Sequence, residues 1–250
     1  MGLSDLTVLL ALYMALAVST GAFVHGFAGF GSSMVWVSSL ALLLPPAQVV
    51  PTVLLFTVVA SIGLLPAVWR DIDWTSLRWL LLGTAVATPV GVVALASLPA
   101  DTIRMGIALI VLIATGLLWR GQTIATPSGT TSALTTGVGA GLLNGSTGIG
   151  GPPVILFYVG SEVGAAVSRA SLIAYFLVSD VLGTAIMMVE GLLSTAVFVR
   201  TVLLLPLVGL GIWLGHRQFV RTTPETFRRI VRVLLACLAL ALLIRAVWNG

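Results

Sequence analysis

The chain contains no lysine, one cysteine and two histidines, and only 8% of its 250 residues are charged. A soluble domain carries about 25% charged residues. So little charge cannot cover the surface of a soluble fold. The single Cys237 rules out a disulfide within the chain. His25 and His216 are the only histidines, and they offer no metal-ligand spacing together with that cysteine. The chain therefore lacks the nucleophile–base or metal set of an intramembrane enzyme, so no catalytic residue and no cofactor are expected. It also lacks a nucleotide-binding P-loop, which excludes an ATP-driven pump. The basic residues are 12 arginines, and the formal charge of +4 comes from them. In an apolar chain such arginines set membrane topology, so nucleic acid is not an expected partner.

What the chain has instead is long apolar runs, with 58% hydrophobic residues. Apolar blocks cover about 6–24, 48–69, 76–98, 103–119, 166–189, 196–215 and 228–248. A bilayer span needs about 20 such residues. The blocks have no polar stripe, unlike the surface helices of a soluble bundle. The first residues, Met1 to Asp5, carry no positive n-region, so the first block is expected to be a retained helix.

The chain also repeats itself. His25-Gly-Phe-Ala-Gly-Phe-Gly31 and Asn144-Gly-Ser-Thr-Gly-Ile-Gly150 share one pattern at a shift of 119 positions. At that shift Thr52 falls on Ser171, Phe56 on Tyr175, Ser61 on Asp180 and Asp71 on Glu190. Further on, Asp101 to Arg104 lies over Glu225 to Arg228 at a shift of 124. Residues 1–119 thus form an N-terminal repeat, 120–130 a polar linker and 131–250 a C-terminal repeat. Each repeat holds five elements: about 5–24, 32–45, 48–69, 76–98 and 103–119, then 131–144, 152–161, 166–189, 196–219 and 227–248. Arginines cluster around the third-to-fourth connection in the first repeat (Arg70, Arg78). In the second they cluster after the fourth element (Arg217, Arg221, Arg228, Arg229, Arg232). Arginine-rich loops face the cytoplasm, so this swap predicts inverted topology, with both termini outside.

Paired short segments interrupted by Gly or Pro mark the substrate site of many secondary transporters. Residues 25–35 and 144–154 are such a pair. The free N–H groups of a helix beginning after each break, near Ser32 and Gly151, attract anions. Candidate substrate-binding residues are His25, Ser32, Ser33, Asn144, Ser146, Thr147, Gly150, Gly151, Arg169 and Tyr175. Asp180 lies three turns beyond Arg169 on the same helix and is the candidate proton-coupling residue. Plainer roles stand beside these. The glycines can serve helix packing, as the spacing of Gly137, Gly141 and Gly145 suggests. His25 can make a structural hydrogen bond, Asp180 can tie helices together, and Arg169 can snorkel to the interface. Tyr158, Trp36 and Trp69 fit a transport path and plain packing equally.

The two breaks, the 119-residue repeat, Gly150-Gly-Pro-Pro153 and Arg169-Ala-Ser171 resemble the TauE/SafE family of sulfite exporters and organosulfonate permeases. The resemblance covers about residues 6–248. It implies transport of a sulfur-containing anion, sulfite or an organosulfonate such as sulfoacetate, across a bacterial inner membrane. The chain departs from the family pattern at Phe30 and Ser32-Ser33, where relatives carry glycines. The expected protein is an all-α integral membrane protein of two inverted-topology repeats, about five helical elements each, whose short broken or re-entrant helices meet near the midplane. It is expected to work by alternating access, with the lipid bilayer and a small anion as its partners. A passive anion channel is the alternative.

Overall fold

The computed structural model describes residues 3–119, 129–160 and 163–220. Most of the expected linker, the whole expected element at 227–248 and Cys237 lie outside the described residues. The described chain is helical: α1 (Leu3–Ala28), α2 (Ser32–Leu40), α3 (Pro46–Val68), a 3-10 turn (Trp69–Asp71), α4 (Trp74–Ser97), α5 (Ala100–Trp119), α6 (Thr130–Thr147), α7 (Gly151–Gly160), α8 (Ala165–Val189) and α9 (Thr195–Val220). Among the described residues five stretches are long and apolar enough to cross a membrane: Val8–Ala28, Pro46–Asp71, Trp74–Ser97, Ala166–Val189 and Thr195–Phe219. The molecule is a multi-pass membrane protein.

The partition of side chains fits that setting. Leu12 and Leu16 on α1, Val86 and Val90 on α4, Met105 and Leu109 on α5, and Phe198 and Leu203 on α9 are exposed apolar residues. A lipid environment makes them costless. The core lies between α3 and α8, where Val49, Val53, Phe56, Ile173 and Tyr175 are fully buried.

The two halves of the chain exchange partners: α1 packs chiefly on α9, and α4 chiefly on α6. Both contacts are made backbone to backbone. A methyl group on Gly141 would sit 2.6 Å from the Thr84 carbonyl oxygen, and one on Gly145 2.5 Å from that of Thr88. Gly26 and Gly215 likewise press α1 and α9 together. Apolar burial gives membrane helices no drive to associate, so small residues that allow close approach supply it through packing. The packing role expected for Gly137, Gly141 and Gly145 is thus present at this seam.

At the centre α3 and α8 lie side by side. The Asp73 N–H, just past α3, donates to Ser171 Oγ near the start of α8 at 2.9 Å. At the opposite end Arg200, early in α9, donates to Gln48 Oε1 at the start of α3, 3.2 Å away. The short helices α2 and α7 fold back into this core. Trp36 Nε1 of α2 donates to the Val18 carbonyl of α1 at 2.9 Å, and Gly21 leaves the space that its indole occupies.

Candidate functional site

Both interruptions are built the same way. α1 ends at Gly29, whose φ is 79°, and α6 ends at Gly148, with φ 71°. A residue in this left-handed region ends a helix, and glycine adopts it without a Cβ penalty. The Gly29 N–H donates to the His25 carbonyl at 2.7 Å, and the Gly148 N–H to the Asn144 carbonyl at 2.9 Å. The next helices start at Ser32 and Gly151, where the sequence placed them.

At the first break His25 is fully buried. Its Nδ1 lies 2.9 Å from Ser32 Oγ and its Nε2 lies 3.5 Å from Ser61 Oγ, the outer limit of a hydrogen bond. Both ring nitrogens therefore face protein hydroxyls, and the ring stacks on Trp36. His25 positions Ser32. Ser33 is partly exposed beside it. The N-cap of α2 is Gly31, which has no side chain to satisfy the first-turn N–H groups.

At the second break Asn144 occupies the His25 position and Asp180 the Ser61 position. Both pairs are 36 residues apart in sequence. Asn144 Nδ2 donates to Asp180 Oδ1 at 2.7 Å, and Ser179 Oγ donates to the same oxygen at 3.3 Å. Thr57 of α3 lies against the same carboxyl. Ser146 and Thr147 donate to carbonyls one turn back in α6, each at 2.7 Å. Thr147 Oγ1 also accepts from the Ile149 N–H. Gly150 packs against Asn144, and Gly151 faces Phe176. Two of the first-turn positions of α7 are Pro152 and Pro153, which have no N–H to offer.

Each break rests on a long helix from the other half of the chain, the first on α8 and the second on α3. A methyl group on Gly29 would lie 3.0 Å from Arg169 Cγ and 3.2 Å from Ile173 Cγ1. One on Gly148 would lie 3.3 Å from Val50 Cγ1 and 3.6 Å from Leu54 Cδ1. Arg169 and Val50 are repeat counterparts, as are Ile173 and Leu54. The same slot holds a guanidinium at the first break and an isopropyl group at the second.

Arg169 does not snorkel: it is 4% exposed. Its Nη2 donates to the Gly26 carbonyl at 2.9 Å, and its guanidinium lies 4.1 Å from the centre of the Phe219 ring. Among the described residues its Nε is buried without a partner. Among the described residues no carboxylate pairs with it, and the one ion pair joins Arg104 to Asp101. Arg169 and Asp180, three turns apart on α8, lie at different breaks. Tyr175 is drawn into packing. Its hydroxyl meets Thr84 Oγ1 at 2.8 Å, and Thr84 in turn donates to the Gly137 carbonyl, tying α8 to the α4–α6 seam. Sequence reasoning missed Ser61, Ser179 and Thr57 as site neighbours. The repeat shift that pairs Ser61 with Asp180 was the signal for the first of them. Among the described residues no three His, Cys, Asp or Glu gather as metal ligands.

Residues 13–242 match the family described as sulfite exporter TauE/SafE. A curated relative, the probable sulfite/organosulfonate exporter TauE of Cupriavidus necator, is 28% identical over 239 residues, covering 92% of each chain. No solved structure matches the chain at a significant level.

Proposed function

The chain belongs to the sulfite exporter TauE/SafE family, and we propose from that premise that it carries a small sulfur-containing anion, an organosulfonate such as sulfoacetate or sulfite, across the bacterial inner membrane. It is a secondary transporter and not an enzyme, and it works by alternating access. The observation that carries the substrate's sign is Arg169. Among the described residues no carboxylate touches this buried guanidinium, and an incoming anion supplies the direct partner it lacks. The Arg169 Cγ lies against Gly29 at the break that precedes α2, and the uncapped Ser32, Ser33 and Met34 N–H groups of α2 add donors for an oxyanion. A planar guanidinium suits the paired oxygens of a sulfonate. Asp180, held by Asn144, is the group that takes up the coupled proton.

Residues 1–119 and 131–250 act as inverted repeats. The contacts of α3 support this reading: its end meets the start of α8, and its start meets α9, which follows the end of α8. Third elements that run antiparallel are what inversion in the membrane requires.

Purified protein in liposomes tests the transport class. A carrier gives saturable uptake and counterflow of labelled sulfonate. Anion current without exchange would establish a passive channel instead and end the alternating-access reading.

A further inference from the structure

The two breaks place one positive and one negative group in the protein interior. Arg169 is buried at the first break with an unpartnered Nε, and Asp180, 2% exposed, is buried at the second. The ionisable groups on elements packed around α8 are few. Tyr175 lies on α8 itself, Tyr158 on α7 and His25 on α1. Arg78 sits near the exposed start of α4, and Arg70 and Asp71 on the exposed 3-10 turn. Helices α3 and α6 carry no charged residue. His25 has a hydroxyl at each ring nitrogen. On α9 the half-buried His216 also stands near Arg169. Among the described residues Arg169 and Asp180 are the fully buried charged side chains.

From this pairing we propose that one proton accompanies each singly charged sulfonate, the anion at Arg169 and the proton on Asp180. The proposal rests on the reading of this protein as a sulfonate transporter with Asp180 as its proton carrier. The empty interior is then neutral, because the arginine balances the carboxylate. The doubly loaded interior is neutral too, because the anion balances the arginine and the proton neutralises Asp180. With the anion alone the interior carries one negative charge. With the proton alone it carries one positive charge. An uncompensated charge in a low-dielectric interior is costly. Only the empty and the doubly loaded protein then change conformation readily, and that restriction is the coupling. The proton is taken up by the Asp180 carboxylate on the side of high proton activity and released as a proton on the other. No other bond changes.

The test uses full-length protein in liposomes with labelled methanesulfonate and sulfoacetate. A pH gradient at zero membrane potential should drive net accumulation of methanesulfonate, and a membrane potential without a pH gradient should not. Sulfoacetate, with two negative charges, leaves the doubly loaded interior one charge negative and should accumulate more slowly than methanesulfonate under the same pH gradient. In Asp180→Asn the empty interior keeps an unbalanced arginine. Net uptake should fall about tenfold or more, the scale of one uncompensated buried charge. Sulfonate-for-sulfonate exchange, which never uses the empty state, should be much less affected, and its persistence also shows that the variant is folded. Methanesulfonate accumulation driven by potential alone would overturn the proposal, as would pH-driven accumulation retained in Asp180→Asn. Unaltered protein that exchanges no sulfonate would sink the transporter reading itself, and this inference with it.

Discussion

The first and second breaks share one backbone and differ in chemistry. Both end a helix on a left-handed glycine and open the next three residues later. Both rest on residues related by the 119-position shift, Arg169 and Ile173 at the first and Val50 and Leu54 at the second. Yet at matched positions the first carries His25, Ser61 and Arg169, and the second carries Asn144, Asp180 and Val50. The first keeps three N–H groups at the start of α2, while two prolines remove theirs from α7. On the function proposed above, the arginine and free N–H groups suit the first break to an anion, and the carboxylate suits the second to a proton.

Three substitutions put that contrast at risk. The largest effect is expected from Arg169→Gln. Loss of one side of a buried charge pair costs about 2–5 kcal/mol, so sulfonate affinity should fall roughly thirtyfold or more. Calorimetric titration of the purified variant measures it, and unchanged affinity would remove the anion from the first break. Asn144→Ala comes next. It strips the Asp180 carboxylate of its closest donor, and an unmet buried polar group costs about 1–3 kcal/mol. The melting temperature in detergent should drop while sulfonate affinity moves little. An affinity loss matching that of Arg169→Gln would mean that one anion spans both breaks. Ser61→Ala should matter least. Its contact with His25 is at the edge of bonding distance, so less than about 0.5 kcal/mol is at stake. A loss as large as that of Asn144→Ala would show that the two pairs bear equal loads and that the halves are less divergent than their side chains suggest.

Much of this arrangement is legible in the sequence because glycine and proline have local meanings. Gly31 before Ser32, and Gly150 before Gly151-Pro-Pro, announce helix starts, and both were placed correctly. The end of α1 was not. A helix stopping near residue 24 was expected, but α1 runs to Ala28, through Gly26. That glycine continues the helix because its bare face meets the backbone of Ile212, a contact made only in the folded protein. The expected element 32–45 is shorter in the structure. Apolar residues 41–44 look helical, but α2 ends at Leu40, before Pro45 and Pro46. The Asn144–Asp180 pair could be inferred from the repeat shift, since both residues belong to one half. The attachment of Arg169 to the opposite half's break could not. No spacing within a repeat encodes a contact that exists only once the repeats are assembled.

The glycine seams also bear on how the chain is made. α1 is synthesised first, but the helix it packs on, α9, is among the last described elements to emerge. Until then the small-residue face of α1 has only lipid, or the insertion machinery, to lie against. α4 waits far less, because α6 follows it after one intervening helix. The N-terminal seam is thus the later to close during biogenesis, and the nascent chain depends longest on outside protection there.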